Sequence, residues 1–105
     1  MGKMKVEFTG KGVEITPALK YFTYNKLKKI EKFQKDIEQV EIKFSIEKHR
    51  QKAEIIIKTK YNILSGTEET DDMYSSIVLA LDKIERQARK SREKMRDNKR
   101  RKRER

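Results

Sequence analysis

Residues 71–95 read DDMYSSIVLALDKIERQARKSREKM and carry the strongest structural pattern of the chain. Apolar residues recur there at steps of three and four, at Met73, Ile77, Ala80, Leu81, Ile84, Ala88 and Met95. This spacing places them on one stripe of a helix. Lys83, Arg86, Lys90 and Lys94 recur at similar steps on a neighbouring stripe. The pattern predicts a helix that buries one face and carries a row of cations beside it, although a basic stripe is also typical of an ordinary solvated helix face.

The residues before this helix are acidic and polar. Thr70, Asp71 and Asp72 offer side-chain oxygens to the free N–H groups of the first turn, and their negative charge suits the positive end of the helix dipole. Together with Glu68 and Glu69 they could also suggest a magnesium site. Capping is the favoured interpretation, because it needs only one side chain.

Upstream, the chain alternates between strand and helix patterns. Met4, Val6 and Phe8 alternate with polar residues, which predicts a strand over residues 4–9 that Gly10 and Gly12 end. Thr16-Pro17 then predicts a helix start, with Thr16 as the N-cap. The apolar residues of that helix follow at helical spacing: Leu19, Phe22, Leu27, Ile30 and Phe33.

Three more strands are predicted between the two helices. Strict alternation predicts strands at about 39–47 and 52–61, joined by a polar hairpin loop at 48–51. Ile56 falls on the other face of the second of these, so that face is expected to be partly covered. A turn at Tyr61-Asn62 leads to a short strand at 63–67, which Gly66 weakens.

The predicted order is therefore β-α-β-β-β-α, an α+β domain. Each helix has one apolar stripe and each strand one apolar face, so the simplest assembly lays both helices on one face of a four-stranded sheet. The other sheet face is expected to be solvated. We expect the domain to cover residues 1–97 and residues 98–105, which hold six cations and no apolar side chain, to form a tail that is disordered when unbound.

Positive charge is concentrated at the C-terminal end. The 105 residues carry a net charge of +11, but residues 83–105 alone hold 13 Lys and Arg against 4 Asp and Glu. A clustered excess of this kind favours a polyanionic partner, with nucleic acid first. An anionic membrane is the weaker choice, since the basic helix lacks a large exposed apolar face.

The sequence contains few residues suited to catalysis. The chain has no cysteine, which removes disulfides, thiolate metal sites and cysteine nucleophiles, and fits a cytoplasmic location. Its single histidine, His49, lies in the predicted hairpin loop between two cations. No Gly-rich phosphate loop, transmembrane run or signal peptide is present. The sequence predicts no enzyme activity, no catalytic or metal-binding residue, no cofactor and no small-molecule substrate.

The sequence favours RNA binding over catalysis. Cations on two adjacent helices could make one continuous surface, with affinity that falls steeply with salt. Tyr21, Tyr24 and Tyr74 could add base stacking, although buried or rim tyrosines are commoner. The aromatic pair of an RRM and the GXXG loop of a KH domain are both missing.

Six short strings are shared with a known family. They are EITPAL at 14–19, KLKKIEKF at 26–33, SIEK at 45–48, RQKAE at 50–54, DMY at 72–74 and DKIERQ at 82–87. Their joint order over residues 4–94 resembles the ribosome hibernation promoting factor and ribosome-associated inhibitor family, also called ribosomal subunit interface proteins. The resemblance implies a β-α-β-β-β-α fold similar to a double-stranded RNA-binding domain.

The resemblance also implies a function and a partner. Family members bind rRNA and ribosomal proteins of the small subunit, in the channel for mRNA and tRNA, and silence translation in stressed or stationary bacteria. The basic tail departs from the short members of the family. Long members add a C-terminal dimerisation domain, which would follow residue 105 if this chain is a piece of a long form.

The same resemblance singles out basic residues on both helices. The family's RNA contacts fall here on Lys26, Lys29 and Lys32, and on Lys83, Arg86 and Lys90; the full predicted set adds Lys20, Arg89 and Lys94. From the residues alone, Lys26 lies within the apolar stripe of its helix and is expected to snorkel along the core edge. Two other functions remain open, a generic double-stranded RNA-binding protein and a small hydrolase or nuclease that uses the acids at 68–72.

Overall fold

Six elements follow one another in the predicted order. A computed structural model describes residues 5–32, 34 and 36–104, with side chains described as far as Lys90 in the last helix. The elements are β1 (Lys5–Lys11), α1 (Pro17–Glu31), β2 (Ile37–Glu47), β3 (Arg50–Thr59), β4 (Ile63–Thr70) and α2 (Met73–Glu104). The α+β class and the order β-α-β-β-β-α are confirmed.

The strands form one mixed sheet in the order β1-β2-β3-β4. Strands β1 and β2 are parallel, with Val6 opposite Val40, whereas β2, β3 and β4 are antiparallel neighbours. Parallel neighbours need a crossover connection, which α1 supplies. This places α1 over the β1 side of the sheet, while α2 packs on β3 and β4.

One face of the sheet forms the core. The buried apolar strand residues lie at alternate positions: Val40, Ile42, Phe44, Ala53, Ile55, Ile57 and Leu64. Ile46, which continues the alternation at the hairpin end of β2, is exposed. Both helices contribute to the same cluster: α1 through Leu19, Leu27 and Ile30, and α2 through its predicted stripe from Met73 to Ala88. On the other sheet face, Ile56 is half-buried, as expected. The helices therefore share one sheet face, which confirms the predicted layering.

Both helices begin at the predicted caps. The backbone N–H of Leu19 donates to Thr16 Oγ1 at 3.1 Å, and Pro17 occupies the first turn of α1. The N–H of Ser75 donates to Asp72 Oδ2 at 3.0 Å at the start of α2. Each bond satisfies an N–H group that the helix itself leaves without a partner.

Gly66 allows α2 to lie close against β4. A Cβ atom built at this position would collide with the carbonyl oxygen of Ala80. A side chain of any kind would push the helix backbone away from the strand. The sequence predicted Gly66 to weaken a strand of residues 63–67, but β4 continues to Thr70 and pairs with β3 through Gly66.

The remaining differences concern element ends. The hairpin loop is tighter than predicted, with only Lys48 and His49 between β2 and β3. The α2 backbone continues to Glu104 beyond the apolar pattern, through residues that are mostly good helix formers. The division into residues 1–97 and a tail at 98–105 stays a prediction, and Met4, Phe33 and the side chain of Met95 lie outside the described residues.

Candidate nucleic-acid interface

The outer surface of the two helices carries cations without acidic partners. On α1, Lys28, Lys29 and Lys32 are exposed and make no ion pair with any residue that the structure describes. On α2, the same holds for Arg86 and Lys90. Charges that are not neutralised within the protein are available to an anionic partner.

A groove separates the two helices. Its α1 wall consists of Lys26 and Lys29, and its α2 wall carries Asp82 and Glu85. Ile30, Val78 and Leu81 complete the lining. Two carboxylates therefore stand between the cations of α1 and those of α2. The two rows do not form the single continuous cationic surface that the sequence predicted.

Lys26 occupies the edge of this groove. The residue is half-buried, and its Nζ lies 5.4 Å from the centroid of the Phe22 ring, within the range of a cation–π contact. The aliphatic stem covers apolar surface while the ammonium group stays at the rim, which agrees with the expected snorkelling. An RNA contact by the same ammonium group stays a prediction.

Lys83 lies on the opposite flank of α2, beside β4. Its Nζ donates to the carbonyl oxygen of Thr67 at 3.0 Å and lies 3.5 Å from Glu68 Oε1. Lys83 is thus already bound within the protein, and it is not next to the cations of α1. Lys90, another predicted RNA contact on α2, has no such contact in the described part of the chain.

Three further predicted residues have different surroundings. Lys20 lies on the β1 side of α1, with Nζ 5.7 Å from the ring centroid of Phe8. Arg89 pairs with Glu85 one turn earlier on α2, at 3.6 Å. The side chain of Lys94 lies outside the described residues. On α1, Lys26, Lys29 and Lys32 follow one another within two turns. On α2, the step of seven residues puts Lys83 and Lys90 on one stripe, and Arg89 lies towards Glu85.

Each acid of the cluster at 68–72 has its own structural contact. Glu68 pairs with Lys83, whereas Glu69 and Asp71 lie 3.8 and 3.9 Å from the guanidinium group of Arg50. Asp72 caps α2. No group of three or more acidic, histidine or cysteine side chains suited to a metal ion occurs among the residues that the structure describes. His49 is exposed at the hairpin turn.

Sequence reasoning missed the acidic wall of the groove. Asp82 and Glu85 follow Val78 at steps of four and seven residues, so helical spacing alone puts the three on one line. This signal was available, but it becomes informative only once α1 is known to pack on that side. Gln87, which contacts the backbone of β4, was missed for the same reason.

A mixed four-stranded sheet with two helices on one face, and with unpaired cations on their outer sides, defines a small α+β domain suited to a polyanion. Residues 6–96 match the model of the Sigma 54 modulation protein / S30EA ribosomal protein family, and the chain belongs to this family. It is 35% identical to the ribosome hibernation promoting factor of Klebsiella oxytoca, over 90% of this chain and all of that protein. The identity to the Escherichia coli K12 protein of the same name is 30%, with the same coverage.

Two solved structures are similar to the fold. A ribosomal subunit interface protein from Coxiella burnetii superposes with a TM-score of 0.79 at 32% identity, covering 85% of this chain and 98% of that one. The N-terminal domain of Thermus thermophilus Protein Y gives a TM-score of 0.75 at 26% identity, covering 86% and 98%. The predicted family is confirmed, while the likeness to a double-stranded RNA-binding domain stays a prediction. None of the helices in the described part of the chain is long and apolar enough to cross a membrane.

Proposed function

We propose that this protein is a ribosome-binding translation silencer that occupies the mRNA and tRNA channel of the small subunit and stabilises inactive ribosomes. The observation that carries the proposal is the pair of cation rows on the outer faces of α1 and α2, in a chain that belongs to this family. The names of its relatives, ribosome hibernation promoting factor and ribosomal subunit interface protein, support the same partner.

The physical basis is phosphate neutralisation. Lys28, Lys29 and Lys32, with Arg86 and Lys90, have no acidic partner among the described residues, so they can approach phosphates without first breaking an ion pair. Each phosphate contact releases condensed counterions, and the affinity then falls linearly with salt on logarithmic axes. The partners in this proposal are rRNA and ribosomal proteins of the small subunit, in the cytoplasm.

The proposed mechanism is occupancy without chemistry. The acids that a nuclease would need for metal binding are engaged with Lys83 and Arg50 or cap α2. A protein that inhibits only while bound must act stoichiometrically and reversibly. Its effect should be relieved by high salt, and initiator tRNA with initiation factors should compete with it, because two ligands cannot share one volume.

Co-sedimentation tests the partner. The protein is centrifuged with purified small subunits, large subunits and 70S ribosomes, and its affinity for a free RNA duplex is measured in the same buffer. We expect retention on particles that contain the small subunit and much weaker binding to the duplex. Equal affinity for duplex and subunit would instead identify a generic double-stranded RNA-binding protein.

Chemical footprinting of the rRNA tests the site, and titration tests the mechanism. Protection should map to nucleotides that line the mRNA and tRNA path, and mRNA with initiator tRNA should remove it. In a purified translation system, inhibition should reach completion near one protein per ribosome. Inhibition far below that ratio, or inhibition that persists after the protein is washed off, would show catalysis and exclude this mechanism.

A further inference from the structure

The three tyrosines that could stack on bases, Tyr21, Tyr24 and Tyr74, have different ring contacts in the structure. The ring of Tyr24 lies edge-on to Phe8, with centroids 5.6 Å apart, and that of Tyr74 lies edge-on to Phe22 at 4.9 Å. Tyr21 has no ring contact among the described residues, and 70% of it is exposed. Only Tyr21 of the three therefore leaves its ring without a protein partner.

The position of Tyr21 matters more than its exposure, since single exposed aromatic rings are common on protein surfaces. Asn25, Lys28 and Lys32 follow Tyr21 at steps of 4, 7 and 11 residues, which places all four on one outward stripe of α1. With a rise of 1.5 Å per residue, they lie about 6, 10 and 16 Å further along the helix. Lys28 and Lys32 are among the cations without an ion pair in the described structure.

An aromatic ring in line with unpaired cations has the composition of a site for single-stranded nucleic acid. In such sites the cations follow the phosphates while a base stacks on the ring, and stacking accepts any base because every base has a π-face. A regular duplex does not satisfy this arrangement, since its bases are already stacked within the helix. The stripe therefore favours an RNA segment that offers an unpaired nucleotide.

We propose that Tyr21 is a stacking platform for one unpaired RNA nucleotide, whose neighbouring phosphates contact Lys28 and Lys32. The proposal rests on the proposed function in so far as rRNA supplies this nucleotide in the cell. Stacking explains how a surface made of point charges can prefer folded RNA with unpaired bases over a plain duplex. The phosphates supply most of the attraction, and Tyr21 supplies the selection.

Tyr61 is a matched control within the same chain. It is also highly exposed, at 78%, and it also has a neighbouring lysine, with Lys60 Nζ 5.8 Å from its ring centroid. Tyr61 lies in the turn between β3 and β4, however, and not on the cation-bearing surface of α1. Tyr61 therefore matches Tyr21 in exposure and differs from it in position.

Tryptophan fluorescence gives a direct test, because the chain contains no tryptophan. Tyr21→Trp and Tyr61→Trp each introduce a single fluorophore at an exposed site. We expect a single-stranded oligouridine to quench the Tyr21→Trp signal strongly and saturably, as stacking requires, and to leave the Tyr61→Trp signal nearly unchanged. Absence of quenching in Tyr21→Trp at saturating oligonucleotide, or equal quenching in both variants, would overturn the proposal.

Affinity for small subunits gives a second readout. Tyr21→Ala and Tyr21→Leu should weaken binding about 5- to 150-fold, the range that one stacked base contributes, whereas Tyr21→Phe should bind like the wild type. The slope of log affinity against log salt should stay unchanged in Tyr21→Ala, since no phosphate contact is lost. A changed slope, or equal loss in Tyr21→Phe and Tyr21→Ala, would contradict stacking.

The two readouts also separate this inference from the proposed function. If the wild type does not bind small subunits, the proposed function fails, and quenching by the oligonucleotide still decides the stacking site. If the wild type binds subunits and Tyr21→Ala binds equally well, the stacking site fails and the proposed function stands. Unchanged melting temperatures of the variants, expected at so exposed a position, confirm that the fold is intact.

Discussion

Gln87 on α2 pairs with both main-chain groups of Ser65 on β4. The N–H of Ser65 donates to Gln87 Oε1 at 3.2 Å, and Gln87 Nε2 donates to the Ser65 carbonyl oxygen at 2.7 Å. Because β4 is an edge strand, these groups have no neighbouring strand to bind. Lys83 covers the next outward carbonyl, that of Thr67. One flank of α2 therefore closes the β4 edge, and open edges are where sheets pair with other chains.

We predict that Gln87→Ala both destabilises the protein and exposes this edge. Loss of two hydrogen bonds should lower the free energy of unfolding by about 1–2 kcal/mol. Urea denaturation measures this change, and light scattering at high concentration should show increased self-association. The neighbouring variant Arg86→Ala removes no contact among the described residues and should leave both properties unchanged. A fully stable, monomeric Gln87→Ala protein would show that the pairing with Ser65 is dispensable.

The α2 cations should divide into two functional groups. The resemblance to the family assigns Lys83, Arg86 and Lys90 alike to RNA binding. The structure changes this expectation for Lys83, because a glutamate there would face Glu68 and lose the bond to Thr67. Arg86→Glu/Lys90→Glu should lose subunit binding at full stability, and Lys83→Glu should lower the free energy of unfolding by about 1 kcal/mol.

Co-sedimentation at moderate salt and urea denaturation of the same samples measure the two effects. If Arg86→Glu/Lys90→Glu still pellets with small subunits like the wild type, the outer face of α2 does not contact RNA. If Lys83→Glu is as stable as the wild type, its contacts with β4 contribute nothing measurable.

The acidic wall of the groove should weaken RNA binding. Asp82 lines the groove opposite Lys26 and Lys29 and has no ion pair among the described residues. Asp82→Asn should therefore raise the affinity for RNA about 2- to 3-fold at low salt, with the gain vanishing at high salt as charges are screened. Glu47→Gln on the exposed hairpin end of β2 changes the net charge equally and serves as the control. Equal gains in both variants would mean that only net charge matters.

Gly66→Ala tests the close packing of α2 on β4. The new Cβ would collide with the backbone of Ala80, and overpacking of this kind costs about 1–3 kcal/mol. Thermal or urea unfolding should show this loss, whereas Ser65→Ala on the same strand, with its side chain on the open face, should unfold like the wild type. An unchanged stability of Gly66→Ala would mean that the helix can move away freely.

Truncation before Asn98 tests the predicted tail. Residues 98–105 contain no apolar side chain to bury, so their removal should leave the melting temperature nearly unchanged. Loss of six cations should still weaken RNA binding and reduce its salt dependence. A large fall in melting temperature would show that the tail packs on the domain.

Much of the fold follows from local patterns. Alternation at Val40, Ile42 and Phe44 and the stripe from Met73 to Ala88 predict strand, helix and buried face together, because burial on one side imposes the period of the element. Relations between elements are not local. Neither the parallel pairing of β1 with β2 nor the docking of α1 beside Asp82 leaves a periodic signal in the sequence. Gly66 is interpreted as destabilising a strand until a helix is known to lie against it.

For the candidate site too, the sequence predicts local features and not the contacts between elements. The exposure of the α1 cations follows from the sequence, since charged residues on the outer stripe of an amphipathic helix remain exposed, but the predicted RNA contacts did not include Lys28. Which cations are free to bind could not be listed, because Lys83 is engaged by a strand edge that is distant in sequence. The same applies to the tyrosines of α1, because Phe8 lies beside the ring of Tyr24 and not beside that of Tyr21.

The attachment of α2 to β4 at Gly66, Lys83 and Gln87 has a mechanical consequence. Contacts at three points along one strand hold the helix in place on the sheet, so Arg86 and Lys90 keep a fixed position relative to the cations of α1, which packs on the same sheet face. A rigid ligand fits one shape of its partner and shifts the partner's population towards that shape. Under the proposed function, the protein would not only fill a channel. It would hold the ribosome in the single arrangement that fits the fixed cations of the two helices.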